Sequence, residues 1–406
     1  MSSRDSSSLY RRNALTRSRG LAPLLIGIIG MLISSFVVGS FVADNDWNPT
    51  TLVKFPEQDP AALAYAEDLL GDIVPAPGLG HDGKFYFVQA MDPFFLDPDQ
   101  HAIYLDRPTY RAQRMIYPLL AGGFGLFSPG FTVWAMIVVN LIAVGVGTWL
   151  TALLARELGL PAFLGMAFAL NPGILVSALV DTAEVFAMLF FVLAAFMILR
   201  DRMLAASIAL TLAALTRETM ILATFGVVAY LVLTKRRRPV HLALPIAISG
   251  IWWIYLRWRL GALTDSVQDT QAIGLPFAGF ADAFQRWLNP LEPADLLMGI
   301  VLVALAVIVP WRAIQGRSLV GLMAAGFSLI AIIMSEPVWL NYFDSSRVLA
   351  PLITAYLLMI PFPGRSSSTT TVMAPNRDRD EPKQLEEDPP SADRVQSTRG
   401  MRRSRE

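Results

Sequence analysis

Apolar runs recur along this chain from Leu21 to Pro361, and they leave few choices of surroundings. The clearest are Leu21–Ala43, Gly130–Ala155, Pro161–Ala178, Val185–Leu199, Val240–Tyr255, Leu296–Val309, Leu319–Met334 and Val348–Pro361. A bilayer core is ~30 Å thick, and backbone inside it must satisfy its own hydrogen bonds, so such runs read as membrane helices. Composition agrees: 54% of the 406 residues are hydrophobic and 16% are charged, where a soluble domain carries about a quarter. The expected fold class is therefore all-α, a polytopic membrane protein whose constant partner is the lipid bilayer. The formal charge is zero, and no argument for a nucleic-acid partner follows. Cysteine is absent, which excludes disulfides and thiolate metal sites.

Residues 1–20 carry Arg4, Arg11, Arg12, Arg17 and Arg19. The run behind them is too long for a cleaved signal and no small-x-small site follows, so it reads as an uncleaved first helix with a cytoplasmic N-terminus. Residues 44 to about 129 contain only short apolar pieces and form a long first outer loop. Its piece Met115–Phe127 has about 13 residues. That is roughly 20 Å of helix, too short to cross. Later, Met203–Thr234 is interrupted by Thr216-Arg217-Glu218-Thr219. The interruption predicts a hairpin, with Arg217 and Glu218 lining a polar cavity below the outer surface. Lys235-Arg236-Arg237-Arg238 marks the cytoplasmic side. This reading gives a transmembrane domain over 21–361 with about ten crossings, both termini cytoplasmic, and a disordered cytoplasmic tail over 362–406. A rival topology makes Met115–Phe127 a span and Met203–Thr234 one helix, but it places Arg156, Arg200 and Arg202 outside and buries Arg217 and Glu218 mid-helix. No internal repeat is evident.

In the preferred topology the short outer turns bring Asp181, Glu184, Arg217, Glu218, Glu336, Asp344 and Arg347 to one side. The long loop adds Asp82, Asp92, Asp106, Arg107, Arg111 and Arg114. Ionisable residues between apolar helices are costly unless wet or paired, so the set predicts one polar chamber. The plainer alternative is interfacial side chains that snorkel to water. Asp82 precedes Gly83 and an amphipathic-looking segment; it is either a base held ionised at a helix N-terminus or merely a cap. Pro108 suits a first helical position, which puts Arg107, Arg111 and Arg114 on one face. Such a row can clamp phosphate or rest on anionic lipid. Arg347 can reach a lipid-borne phosphate or pair with Asp344. Three histidines without thiols give no metal-ligand spacing, and no cofactor motif is present.

The passage Asp82-Gly83-x-x-Tyr86-x-x-x-Ala90 resembles the Trp-Asp-Gly-x-x-Tyr-x-x-Ile-Ala segment in the first outer loop of GT-C membrane glycosyltransferases, the mannosyltransferase and bacterial cell-envelope branches in particular. The longer pattern through Asp92-Pro93, Asp106-Arg107-Pro108-x-Tyr110-Arg111 and Arg114-Met115-Ile116-Tyr117-Pro118 is similar to actinobacterial relatives implicated in surface glycopolymer formation. Thr216-Arg217-Glu218-Thr219 and Arg347-Val348-Leu349-Ala350-Pro351 are similar to weaker signatures in the later helices. Two departures stand out. His81 replaces the aromatic residue before the Asp, and Asp82 lies about forty residues beyond the first helix. Asp44 and Asp46 occupy the closer position and are rival bases.

The resemblance implies transfer of a sugar from a polyprenyl-phosphate donor to a glycan or glycolipid acceptor hydroxyl on the outer face. Asp82 would be the base. Arg107, Arg111, Arg114 or Arg347 would hold the phosphate, and Asp92, Asp181, Glu184 and Glu218 would bind sugar or orient the arginines. The competing reading is a transporter or flippase for a lipid-linked or anionic solute, whose charges should form a path to both faces. A third is a non-catalytic assembly factor.

Overall fold

The structure, a computed structural model, describes residues 4–236, 239–264 and 274–361, with backbone alone for 4–19 and 264. The expected tail from 362, the end of the Lys235–Arg238 cluster and residues 265–273 of the later outer loop lie outside the described residues.

Among the described residues every regular element is helical, apart from two isolated β-bridges. The first helix, α1 (Arg4–Ala43), leads into the long loop, which holds the short helices α2 (Gly83–Met91), α3 (Pro108–Arg111) and α4 (Ile116–Phe124). The bundle follows as α5 (Pro129–Glu157), α6 (Pro172–Leu179), α7 (Glu184–Leu199), α8 (Met203–Thr216) and α9 (Ile221–Leu233). It continues with α10 (Leu244–Thr264), α11 (Ala278–Trp287), α12 (Pro293–Gly316), α13 (Leu319–Ile333), α14 (Tyr342–Val348) and α15 (Ala350–Met359). Proline opens α3, α5, α6 and α12 in the first turn, where its missing N–H costs nothing.

Among the described residues four stretches are helices long and apolar enough to cross a membrane: Gly20–Ala43, Pro129–Glu157, Val240–Leu263 and Pro293–Gly316. A fifth forms if Ala162–Ala169 and Pro172–Leu179, bent by 46°, count as one span. The remaining apolar helices, α7, α8, α13, α15 and the stretch Glu218–Leu233 containing α9, are shorter. α1 runs antiparallel to α5: Gly27 meets Trp149 near one end, and Val38 shares a buried cluster with Ile137 near the other.

Two ion pairs establish how the helices connect. Arg200 Nη2 lies 2.6 Å from Glu157 Oε1, and Arg236 Nη1 lies 3.3 Å from Asp201 Oδ1. The ends of α5, α7 and α9 and the start of α8 are thus together at one end of the bundle. One continuous helix through this region would hold Asp201 and Arg236 ~50 Å apart. α8 and α9 therefore form a hairpin, broken at Arg217, whose backbone is extended (φ −149°, ψ 122°). α4 has only 9 residues, ~14 Å of helix, and does not span. Both features disfavour the rival topology. One boundary differs from expectation: α10 runs past Tyr255 through Arg257 and Arg259. The Tyr255 hydroxyl donates to the Phe94 carbonyl at 2.6 Å and Arg259 Nε to that of Phe95, also 2.6 Å, so the end of α10 grips the outer loop.

Candidate active site

α7 runs from the Glu157–Arg200 end to the opposite end of the bundle, where Glu184 starts it inside a polar cluster. Two glycines seat the elements that build this cluster. A Cβ on Gly83 would lie 2.7 Å from the carbonyl oxygens of both Val53 and Val180, so only glycine lets α2 settle there. A Cβ on Gly173 would lie 2.2 Å from the Ser346 carbonyl, and its absence lets α6 and α14 touch. The first close approach places Asp82 and the second places Arg347.

Asp82 stands at the N-cap of α2 but does not cap it: its backbone is helical (φ −60°, ψ −23°) and its side chain bonds no amide of the first turn. The carboxylate turns to three arginines instead. Oδ1 is 2.9 Å from Arg111 Nη1, and Oδ2 is 3.5 Å from Arg347 Nη2 and 3.9 Å from Arg114 Nη1. Burial works against this charge; Arg111 and Arg347, with His81 and Arg114 behind them, outweigh it and hold the carboxyl well below the usual range.

Each arginine has further partners. Arg111 grips Asp106 through Nε and Nη2 at 2.8 and 2.9 Å, with its guanidinium 4.1 Å from the Phe85 ring centre. Arg114 grips Glu218 through Nε and Nη2 at 3.0 and 3.1 Å and also donates to the hydroxyls of Tyr110 and Tyr86. Arg347 donates to Asp344 at 2.7 Å and to Thr182 Oγ1 at 3.2 Å, and lies 3.7 Å from Glu184. Arg217 pairs with Glu184, whose other oxygen accepts from Ser177 Oγ at 3.1 Å. His81 closes a ring: its Nδ1 accepts from the Asp82 amide at 2.8 Å, and its Nε2 is 3.3 Å from Asp344. Asp344 and Asp106 are both shifted below the usual carboxylate range, burial being outweighed by His81 and Arg347 at the first and by Arg111 at the second.

The cluster is layered. Asp106, Asp344, Glu218 and Asp82 are 41, 29, 25 and 21% exposed, while Arg111, Arg217, Arg347 and Arg114 are 12, 9, 4 and 3%. Four carboxylates are thus more exposed than any of the four guanidiniums, while the fifth, Glu184, is buried among them at 1%. Such a mouth suits a ligand that offers hydroxyls outward and negative charge inward.

The remaining sequence candidates fall elsewhere. Asp92 is buried and spends both oxygens on the amides of Leu96 and Asp97, at 2.8 and 2.7 Å, so it orders a turn. Asp181 is fully buried in the turn before α7, against Asn140 and Tyr117, and joins none of the cluster's ion pairs. Arg107 lies 4.8 Å from the Tyr110 ring centre. The expected single arginine face needs correction: α3 ends at Arg111, and Arg114 lies in the turn before α4. Pro118 explains the break, since it cannot donate to the carbonyl of residue 114 and its ring clashes there. Asp44 and Asp46 are exposed at the end of α1, apart from the cluster.

Sequence reasoning gave no role to Ser177 or Thr182, which sit in apolar surroundings without a motif. It weighed His81 as a departure from the motif and as one of three histidines without metal-ligand spacing, and gave it no role beside Asp82. A polar residue where an aromatic was expected was the available signal. Among the described residues no group of three or more His, Asp or Glu side chains could hold a metal ion. Comparison of the chain with family models, with curated proteins and with solved structures found no match in any of the three.

Proposed function

We propose that this chain is a membrane glycosyltransferase that moves a sugar from a polyprenyl-phosphate donor to an envelope glycan or glycolipid hydroxyl on the outer face. The observation that carries this reading is a half-buried carboxylate, Asp82, met by Arg111, Arg114 and Arg347 at one end of an apolar helical bundle. The five short apolar helices also cross in this proposal, which makes ten crossings with the bent pair counted once. The Asp82 end is then outside, and the end bearing Arg200, Arg202 and Arg236 is cytoplasmic, as the positive-inside rule asks.

The chemistry needs one base and a means of holding phosphate. Asp82 takes the proton from the acceptor hydroxyl as that oxygen bonds to the anomeric carbon. The bond from this carbon to the phosphate oxygen breaks, and its electron pair leaves on the phosphate, whose growing charge the arginines meet. One displacement inverts the anomeric centre. Asp106, Glu218 and Asp344 accept hydrogen bonds from sugar hydroxyls at the mouth. A transporter is less well supported: the ion pairs gather at two ends of the bundle, with no charged residue linking them among the described residues.

A deletion strain should accumulate a lipid-linked sugar, and the wild-type chain should restore its turnover. Restoration by Asp82→Asn would remove Asp82 from catalysis. Movement of a lipid-linked sugar across proteoliposomes without a glycosidic product would favour the transporter.

A further inference from the structure

The cluster's charges are already matched. Each of its four ion-paired arginines faces at least one carboxylate, so a phosphate cannot simply be added. Crowding a further anion among five carboxylates would cost more than exchanging one of them.

Four of the five carboxylates are held twice. Asp106 takes two bonds from Arg111, and Glu218 takes two from Arg114. Glu184 is 1% exposed and is shared by Arg217 and Ser177. Asp344 is held by both Arg347 and His81. Asp82 differs. It is shared among three arginines by single contacts at 2.9, 3.5 and 3.9 Å, and it bonds no helix amide. It is the carboxylate whose departure opens three guanidiniums at once to one incoming anion.

We infer that Asp82 holds the place of a phosphate on Arg111 and Arg347, and that a phosphate carried on a lipid exchanges for it there. This rests on the phosphate-donor reading above. Arg347 Nε is buried without a hydrogen-bond partner, so a tetrahedral phosphate has a donor available that the carboxylate does not use. The exchange also resolves a conflict in the mechanism. A carboxylate gripped by guanidiniums is a poor base, and burial alone would raise its basicity. Displaced by phosphate, Asp82 regains basicity only when the donor is seated, so the acceptor is activated last.

The test is calorimetric titration of the detergent-purified full chain with farnesyl phosphate and with inorganic phosphate. Asp82→Asn removes the competing internal anion and should bind farnesyl phosphate about tenfold tighter than wild type, and Arg347→Gln about tenfold weaker, the scale of one such contact. Asp82→Ser carries the same expectation if Asp82→Asn fails to fold. Wild-type binding that weakens in Arg347→Gln but does not tighten on loss of the Asp82 charge overturns the exchange and leaves the donor reading standing. Failure of wild type and variants alike to bind either probe overturns the donor reading. Tightening confined to inorganic phosphate overturns the lipid-borne source.

Discussion

Asp82 sits where its chemistry is suppressed, and that makes its substitution informative in two directions. Transfer should fall at least about 100-fold in Asp82→Asn, the scale of losing a general base, as read from labelled lipid-linked sugar incorporated by membranes. Asp44→Asn and Asp46→Asn should stay near wild type, because both side chains are exposed outside the cluster. Arg217 is a different kind of residue. Arg217→Ala leaves Glu184, 1% exposed, with only the 3.7 Å contact to Arg347 as an ion pair. Stranding a buried charge should cost about 3 kcal/mol in chemical denaturation, and adding Glu184→Gln should recover much of it. The pH response follows from the depressed carboxyls of Asp82, Asp106 and Asp344. A folded-state value below the unfolded one gives stability that is complete above roughly pH 5 and is lost as pH falls below about 4. Melting in detergent should therefore change little on this account between neutral and mildly acidic pH and then drop; an unchanged melt at about pH 3.5 would show that these pairs contribute nothing to stability. Asp82 was legible in the sequence because a carboxylate in a long polar loop, followed by glycine, stands out between apolar runs. Its partners were legible only as a set on one side, since no local pattern says that Arg347 reaches across some 265 residues of chain to meet it.

At the scale of elements, interruptions were easier to read than continuations. The hairpin at Arg217 was readable because lipid-facing backbone cannot carry an unpaired charged turn. The three-arginine face does not form because the helix opened by Pro108 ends at Arg111, before Arg114, and a new helix starts at Ile116; Pro118 bars one continuous helix through both. The end of α10 was placed too early because Arg257 and Arg259 looked like a loop, while the structure uses Arg259 to bind the backbone of the outer loop. Contacts between elements left only glycines as a trace. At Gly173, an added methyl would meet the Ser346 carbonyl at 2.2 Å, one residue from Arg347. Gly173→Ala should lower stability by about 1–3 kcal/mol, the range for overpacking. It should also weaken phosphate binding, because α14 must move to make room. A Gly173→Ala protein with unchanged melting and unchanged farnesyl phosphate affinity would show that the α6–α14 contact does not position Arg347.

For the whole molecule, the issue is orientation, because the same bundle inserted the other way would offer its cluster to cytoplasmic substrates. The two ends differ in sign and in depth. At one, Arg200, Arg202 and Arg236 lie near the ends of α7 and α9, with Arg200 paired to Glu157 and Arg236 to Asp201. At the other, guanidiniums are buried beneath carboxylates, and the α8–α9 hairpin turns after only 14 residues, ~21 Å of helix. If this pair crosses a ~30 Å core, as proposed, the turn falls short of the far surface and the cluster is reached from that side alone. The native chain has no cysteine, so a single introduced thiol reports its side without background. A thiol in place of Asp106, 41% exposed at the mouth, should react in intact cells with a membrane-impermeant maleimide. A thiol in place of Asp201, 81% exposed at the opposite end, should react only after the membrane is opened. Labelling in the reverse order would place the cluster on the cytoplasmic side and overturn the outer-face reaction.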